Sequence, residues 1–303
     1  MLKFLKHWIR RMLVVSGRNL LAPIVVACAA RSPGEEMPVS VHLLVSSDTW
    51  RMGLMAVLSL EYFSGRRWKI MIHDDGSLDE ASMRSILAKL PGASLVTRKE
   101  AENAFNLRFG PYPACSRNRS NHNFFLKFFD PWLHAPHKKY ILLDADVIFY
   151  RHPREIVEWA TRDDGVCLYM RDIKEVFCTS RNRIEEFCGF PVATPFNAGF
   201  LCLTKPVIDP DFCEEFLSEF ENKSEHPQFL EQTLHAVCVS KGGVAFELPC
   251  TYEMTWNLLR RPDSVCRHYV GPAKFDHLYI EAPLTLFFHM TLPRMIFSGL
   301  KGG

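Results

Sequence analysis

The 303-residue chain has no Cys-x-x-Cys pair among its ten cysteines, so neither a zinc ribbon nor a dithiol redox motif is present. The thiols are scattered through a long chain and several lie inside apolar runs, as in Val166-Cys167-Leu168 and Leu201-Cys202-Leu203. This favours buried free thiols in a reducing cytosol over a disulfide framework. Glycine and proline together make up 35 residues and 48% of the chain is hydrophobic, which excludes disorder or low complexity in the bulk. Charge of one sign is also lacking. With 36 basic and 34 acidic side chains the net charge is +2, which does not describe a protein that coats nucleic acid. The balance is nonetheless uneven: residues 1–31 carry six basic side chains (Lys3, Lys6, Arg10, Arg11, Arg18, Arg31) and no acid, leaving 30 basic against 34 acidic in the remainder.

A continuous apolar run of membrane length is missing as well. Asn19 to Ala30 is only twelve residues long, contains Pro23 and stops at Arg31, short of the roughly 20 residues that span a bilayer. Upstream, Leu2, Leu5, Ile9, Met12 and Leu13 recur at helical spacing beside cations, which predicts a helix lying on an anionic membrane surface. A cleaved signal peptide and a helix packed on the protein's own body are the competing readings of this arm. The expected location is cytoplasmic, peripheral to the inner face of a membrane.

A polar break at Arg31 to Pro38 separates the arm (residues 1–37) from the body (38–303), which the resemblance drawn below divides into a nucleotide-binding half (38–150) and an acceptor-binding half (151–303). Val39–Val45, Trp68–Ile72 and Ser94–Thr97 read as strands. The segments between them read as helices, one buried over Trp50–Phe63 and one opened by a Ser77/Glu80 capping box. Strand-helix alternation of this kind predicts a mostly parallel α/β sheet. The dense run Tyr140 to Phe149 predicts a central strand covered on both faces. Further strands are expected at 166–170, 199–203, 244–248 and 284–289, and helices at 210–221 and 227–240, each opening on proline.

Asp144 and Asp146 stand two residues apart at the carboxyl end of that central strand, projecting to one side. Two anions held together there call for a cation, and oxygen ligands suit Mg²⁺ or Mn²⁺ bridging to substrate phosphates. In Phe125-Leu126-Lys127-Phe128-Phe129, a cation set among aromatics needs an anionic partner.

With its neighbours, this run resembles the Asp-x-Asp motif of GT-A glycosyltransferases, and is most similar to the family-8 retaining group that includes glycogenin and lipopolysaccharide galactosyltransferases. The resemblance implies a Rossmann-like mixed sheet in a single catalytic domain. It further implies a metal-dependent hexosyltransferase that moves a sugar from a nucleoside diphosphate donor, UDP-linked, to an acceptor hydroxyl with retention. By that likeness Ser46 and Ser47 contact the nucleotide, Trp50 lies against the base, Asp74 points at the uracil, and Lys127 and Asp144 contact the donor. Asn197, in Phe196-Asn197-Ala198-Gly199, faces the sugar as its counterpart does, and Glu231-Gln232 sit beside the anomeric carbon as the catalytic pair. His289 completes the metal site with Asp144 and Asp146, and its nitrogen tilts the choice towards Mn²⁺. In that group the histidine is followed by a glycine and a Lys-Pro; after His289 this chain has Met290-Thr291-Leu292-Pro293-Arg294, with Arg294 in the lysine's place. The implied acceptor is a glycan or lipid-linked sugar of cell-envelope synthesis. Two alternatives are a haloacid-dehalogenase-type phosphatase, whose strand also ends in Asp-x-Asp, and a non-catalytic sugar-nucleotide-binding protein.

Overall fold

The structure is a computed structural model that describes residues 2–242, 244–271 and 274–293. It begins with α1 (Leu2–Ser16), a five-residue π turn (Gly17–Leu21) and α2 (Ala22–Cys28), which run on as one helix. Pro23 does not break it, because it sits in the first turn of α2, where its missing N–H leaves no helical bond unmade. The apolar helix is therefore longer than the twelve-residue run in the sequence. His7–Cys28 spans 22 residues with a mean hydropathy of 1.4, enough by length and composition to cross a membrane. One side of this helix belongs to the body: Ala22 and Val25 are buried in the main core, and Gly17 lies so close to Tyr279 that a Cβ would come within 1.8 Å of its carbonyl oxygen. Arg31, at the polar break, pairs with the buried Glu61 at 2.6 Å.

There follow β1 (Glu36–Val45), α3 (Trp50–Ser64), β2 (Arg67–Asp74), α4 (Glu80–Lys89), β3 (Ser94–Val96), α5 (Arg98–Phe109), α6 (Pro113–Asn121) and α7 (Phe124–His134). Next come β4 (Lys139–Leu143), β5 (Val147–Phe149), α8 (Arg154–Thr161), β6 (Cys167–Arg171), α9 (Arg181–Cys188) and β7 (Phe196–Thr204). The described chain finishes with α10 (Pro210–Phe220), α11 (Leu230–Lys241), β8 (Ala245–Glu247), β9 (Tyr252–Met254), β10 (Cys266–His268) and α12 (Asp276–Leu286). Seven strands form one sheet in the order β3-β2-β1-β4-β7-β6-β8, parallel except where β7 runs against both β4 and β6. This is the mixed, mostly parallel sheet that the sequence predicts. It carries a hydrophobic core on each face, one beneath α3 and the arm, the other beneath α7, α10 and α11. Such two-sided cover explains why β4 and β7 read as unbroken apolar runs.

Several local expectations give way to tertiary context. Tyr140 to Phe149 is two strands, because the chain turns at Asp144-Ala145-Asp146 and β5 leaves the large sheet for a small one, ordered β5-β10-β9. The cap of α4 is Asp79, whose carboxylate accepts from Ser82 N; the capping box lies at Thr97/Glu100 instead. Residues 284–289 are helical, the end of α12 and a π turn at Phe287–Thr291, because their apolar side packs on the arm rather than on a strand.

Candidate functional site

The site grows from the turn between the two sheets. Asp144 N donates to Gly199 O (2.8 Å) across the β4–β7 ladder, and Val147 N closes the turn onto Asp144 O (3.1 Å). β10 runs antiparallel to β5 with His268 opposite Val147, and Tyr269 N donates to Asp146 O (3.0 Å). That register brings the His268 ring to the Asp-x-Asp turn, with Nε2 3.3 Å from Asp146 Oδ1 and 3.7 Å from Asp144 Oδ2. One donor atom from each of the three residues fits within a mutual 4.8 Å.

Three observations fit a divalent cation here. Asp146 Oδ1 is buried without a hydrogen-bond partner among the described residues, although such atoms are costly to leave unsatisfied. The donor set of two carboxylates and one imidazole suits Mn²⁺ or Mg²⁺. The outer shell fixes the imidazole as well: His268 Nδ1 lies 2.8 Å from Asn197 Oδ1, which also accepts from Gly199 N (2.9 Å), while the Asn197 amide donates to Asp172 (3.0 Å). An acceptor facing Nδ1 places a proton there and turns Nε2, the atom that would ligate, towards the carboxylates. Gly199 is required for this arrangement, since a Cβ there would sit 2.1 Å from the imidazole.

Two lysines flank the carboxylates. Lys127 Nζ contacts both Asp144 oxygens (3.0 and 3.2 Å) and Ala198 O (3.2 Å), and lies 3.9 Å from Glu231 Oε1. Burial alone would favour its neutral amine, but Asp144 and Glu231 outweigh that and keep it charged well above its ordinary range. Lys274 Nζ lies 3.0 Å from Asp146 Oδ2. Burial would raise the Asp146 pKa, yet His268 and Lys274 hold it well below the usual carboxylate range. Asp146 is therefore ionised across the neutral range, as a metal ligand must be.

The expected site residues divide. Asp144, Asp146, Lys127, Glu231 and Gln232 converge. Gln232 Oε1 accepts from Ala198 N (3.3 Å) beside Lys127, its Nε2 is buried and unpaired among the described residues, and Glu231 Oε1 stands 3.0 Å from His235 Nε2. Ser46 and Ser47 form the turn after β1, Ser46 Oγ bonded to Thr49 (3.0 Å) and Ser47 exposed. Trp50 is not an open platform: it is 8% exposed within the core, and Arg51 covers its ring at 4.3 Å, because the buried first turn of α3 draws it inwards. Asp74 is occupied by its own turn, Oδ1 accepting from Gly76 N and Leu78 N (2.9 and 3.1 Å). Asn197 is 4% exposed, and its side chain holds His268 in place.

His289 is a clear departure. It lies in the π turn after α12, exposed, with its ring against Phe63 and its carbonyl accepting from Tyr62 (2.6 Å), and it takes no part in the cluster. Its place is taken by His268, which sequence reasoning missed. The signal was available: His268-Tyr269-Val270-Gly271 leading to Lys274 supplies the histidine, glycine and lysine whose absence after His289 was the one gap in the motif. Arg294, the proposed substitute for that lysine, lies outside the described residues. A cavity of about 840 Å³ at the far end of β4, beside Lys139 and Lys241, touches none of these groups.

No protein-family model matches this sequence, and no curated protein sequence does either. Solved structures do share the fold. Mouse xyloside xylosyltransferase 1 superposes with a TM-score of 0.52 at 12% identity, over 77% of this chain and 97% of that one. The galactosyltransferase LgtC, solved with donor and acceptor sugar analogues, gives a TM-score of 0.53 at 15% identity, over 82% and 95%. The glycosyltransferase GlyE of Streptococcus pneumoniae TIGR4 gives 0.51 at 13%, over 83% and 63%.

Proposed function

We propose that this chain, which has the fold of those glycosyltransferases, is itself a metal-dependent glycosyltransferase. In this reading it moves a hexose from a UDP-linked donor to a hydroxyl of a glycan or lipid-linked acceptor, with retention at the anomeric carbon. The observation that carries the reading is the Asp144/Asp146/His268 cluster, with its orphaned Asp146 oxygen, at the carboxyl end of β4, where open α/β sheets bind ligands.

Asp144, Asp146 and His268 would hold Mn²⁺ or Mg²⁺, which when bound neutralises charge on the departing diphosphate. The protein's own cations supply the rest of that field. Lys274, released from Asp146, offers its ammonium to a phosphate oxygen, and Lys127 steadies Asp144 while sharing its charge with Glu231. Burial would raise the pKa of Glu231, but Lys127 and the His235 ring lower it overall, so it presents an anion towards a positively charged anomeric centre. The unpaired Gln232 Nε2 donates to a sugar or acceptor oxygen beside it. In a retaining reaction the acceptor enters on the leaving-group side, and its proton passes to a phosphate oxygen.

Calorimetric titration with UDP, with and without Mn²⁺, tests the reading on the wild type and on Asp146→Ala, together with an assay for donor hydrolysis and transfer. Wild-type protein should bind UDP only with Mn²⁺ and release free sugar, and Asp146→Ala should do neither. Equal UDP affinity in all four conditions would remove the metal from the site, and binding without turnover would leave a sugar-nucleotide-binding protein.

A further inference from the structure

The amino-terminal helix meets the body along one side only: Val14, Gly17, Ala22 and Val25 turn inwards, and Arg10 pairs with Asp276 of α12 (3.1 Å) and lies 3.2 Å from His277 Nε2. Its bulkiest apolar side chains are turned outwards: Trp8, Ile9, Met12, Leu13 and Leu20 are each 46–58% exposed, and Leu284 of α12 and Phe288 of the π turn after it are similarly open. A contiguous apolar face of this kind is an interaction surface.

Beneath the helix lies a cavity of about 550 Å³, between the arm, α12 and the turn after β1. Its apolar wall includes Val14 and Val15, and its polar groups converge. Arg18 and Arg51 form no ion pair among the described residues, Asn19 adds an amide, and Asp48 is the one acid in the lining. Tyr279, 4% exposed, lines the same cavity, and the charges acting on its hydroxyl are Arg18, Arg51 and Asp48. Two guanidiniums that form no ion pair, together with a tyrosine hydroxyl and an asparagine amide in one cavity, offer donors to an anion.

From the outward apolar face and this arginine-lined cavity at its flank, we infer that the arm seats the protein on the surface of an anionic bilayer and takes a lipid phosphate against Arg18, Arg51 and Tyr279. The apolar face enters the headgroup–acyl boundary, as interfacial helices do, and the arginines at its edge stand at the depth of the phosphates. The same helix does not span while it is folded this way, because Ala22 and Val25 are locked into the core and Gly17 onto Tyr279. Charge favours lipid over a protein partner: the charged residues of the arm are all basic, and the cavity carries two arginines against the single acid Asp48.

The full chain is sedimented with phosphatidylcholine vesicles, with and without phosphatidylglycerol, with no donor or metal present, so that the result is independent of the proposed transfer reaction. Binding should require phosphatidylglycerol and fall with salt. Arg18→Ser and Arg51→Ser should each weaken it about fivefold, while Trp8→Ser with Met12→Ser should weaken it at least about tenfold. All four are exposed positions, so circular dichroism should show the fold retained. The inference is overturned by any of four results: no binding to anionic vesicles, arginine variants that bind as wild type, release that needs detergent rather than salt (a spanning helix), or displacement by UDP, which would assign the cavity to the donor. Stripe substitutions that turn a dimer into a monomer would likewise give that face to a second copy.

Discussion

Lowering the pH from 7 to 5 should destabilise this protein through histidines that the sheet keeps neutral. His42 on β1 and His73 on β2 are buried side by side, Nδ1 of the first 2.9 Å from Nε2 of the second, and Ser40 Oγ closes the far end at 2.8 Å. His73 Nδ1 has no partner among the described residues, and the His134 ring stands over it at 5.9 Å. Burial first, and the neighbouring His134 second, lower the His73 pKa from 6.5 to about 3; burial and His73 also place His42 well below its ordinary value. The unfolded chain therefore takes up protons below 6.5 that the native chain refuses, so the stabilisation is fully present above 6.5 and is lost as the pH falls towards 3. At pH 5 the unfolded histidine is favoured by about 1.5 pKa units, or about 2 kcal/mol for His73 alone. His42, also lowered, acts in the same sense, and an effect of this size is a sizeable fraction of the stability of an ordinary domain. Urea unfolding at both pH values reads the difference, and His73→Gln, which cannot titrate, should lose about 2 kcal/mol of the pH dependence. A wild-type stability that does not fall between pH 7 and 5, or a His73→Gln protein with the wild-type slope, would refute the assignment. Asp146 and Glu231 do not confuse the window, since their pKa values are lowered and they titrate below it, and Asp130, whose pKa burial raises, acts in the opposite sense.

Two further outcomes follow from buried polar groups. Asn197→Ala removes the acceptor that fixes the His268 tautomer without touching a ligand atom, so Mn²⁺ affinity measured by calorimetry should fall by about 10–100-fold while the fold persists; unchanged affinity would make Asn197 a spectator. Arg119→Ala strips Asp130, at 1% exposure, of the two contacts of 2.8 and 3.1 Å that hold it, and should cost about 3–5 kcal/mol in denaturant unfolding.

The period of the elements and the chemistry at their ends were legible in the order of residues. Alternating apolar strands and helices indicated a parallel α/β sheet, the family resemblance supplied its mixed character, and Asp-x-Asp after an unbroken apolar run marked its ligand end, because burial on both faces and ionisation at a strand terminus are local properties that composition records. Lys127 was legible for the same reason, as a cation that its aromatic neighbours could not tolerate without Asp144. The third ligand was not legible, since it depends on β10 crossing to pair with β5 more than a hundred residues earlier, and only that register chooses His268 over His289. The structure likewise decided that Trp50 is core, that Asn197 serves a histidine, and that the arm shows its apolar side outwards. Periodicity defines the faces of a helix, but what each face meets is set by the elements that pack beside it.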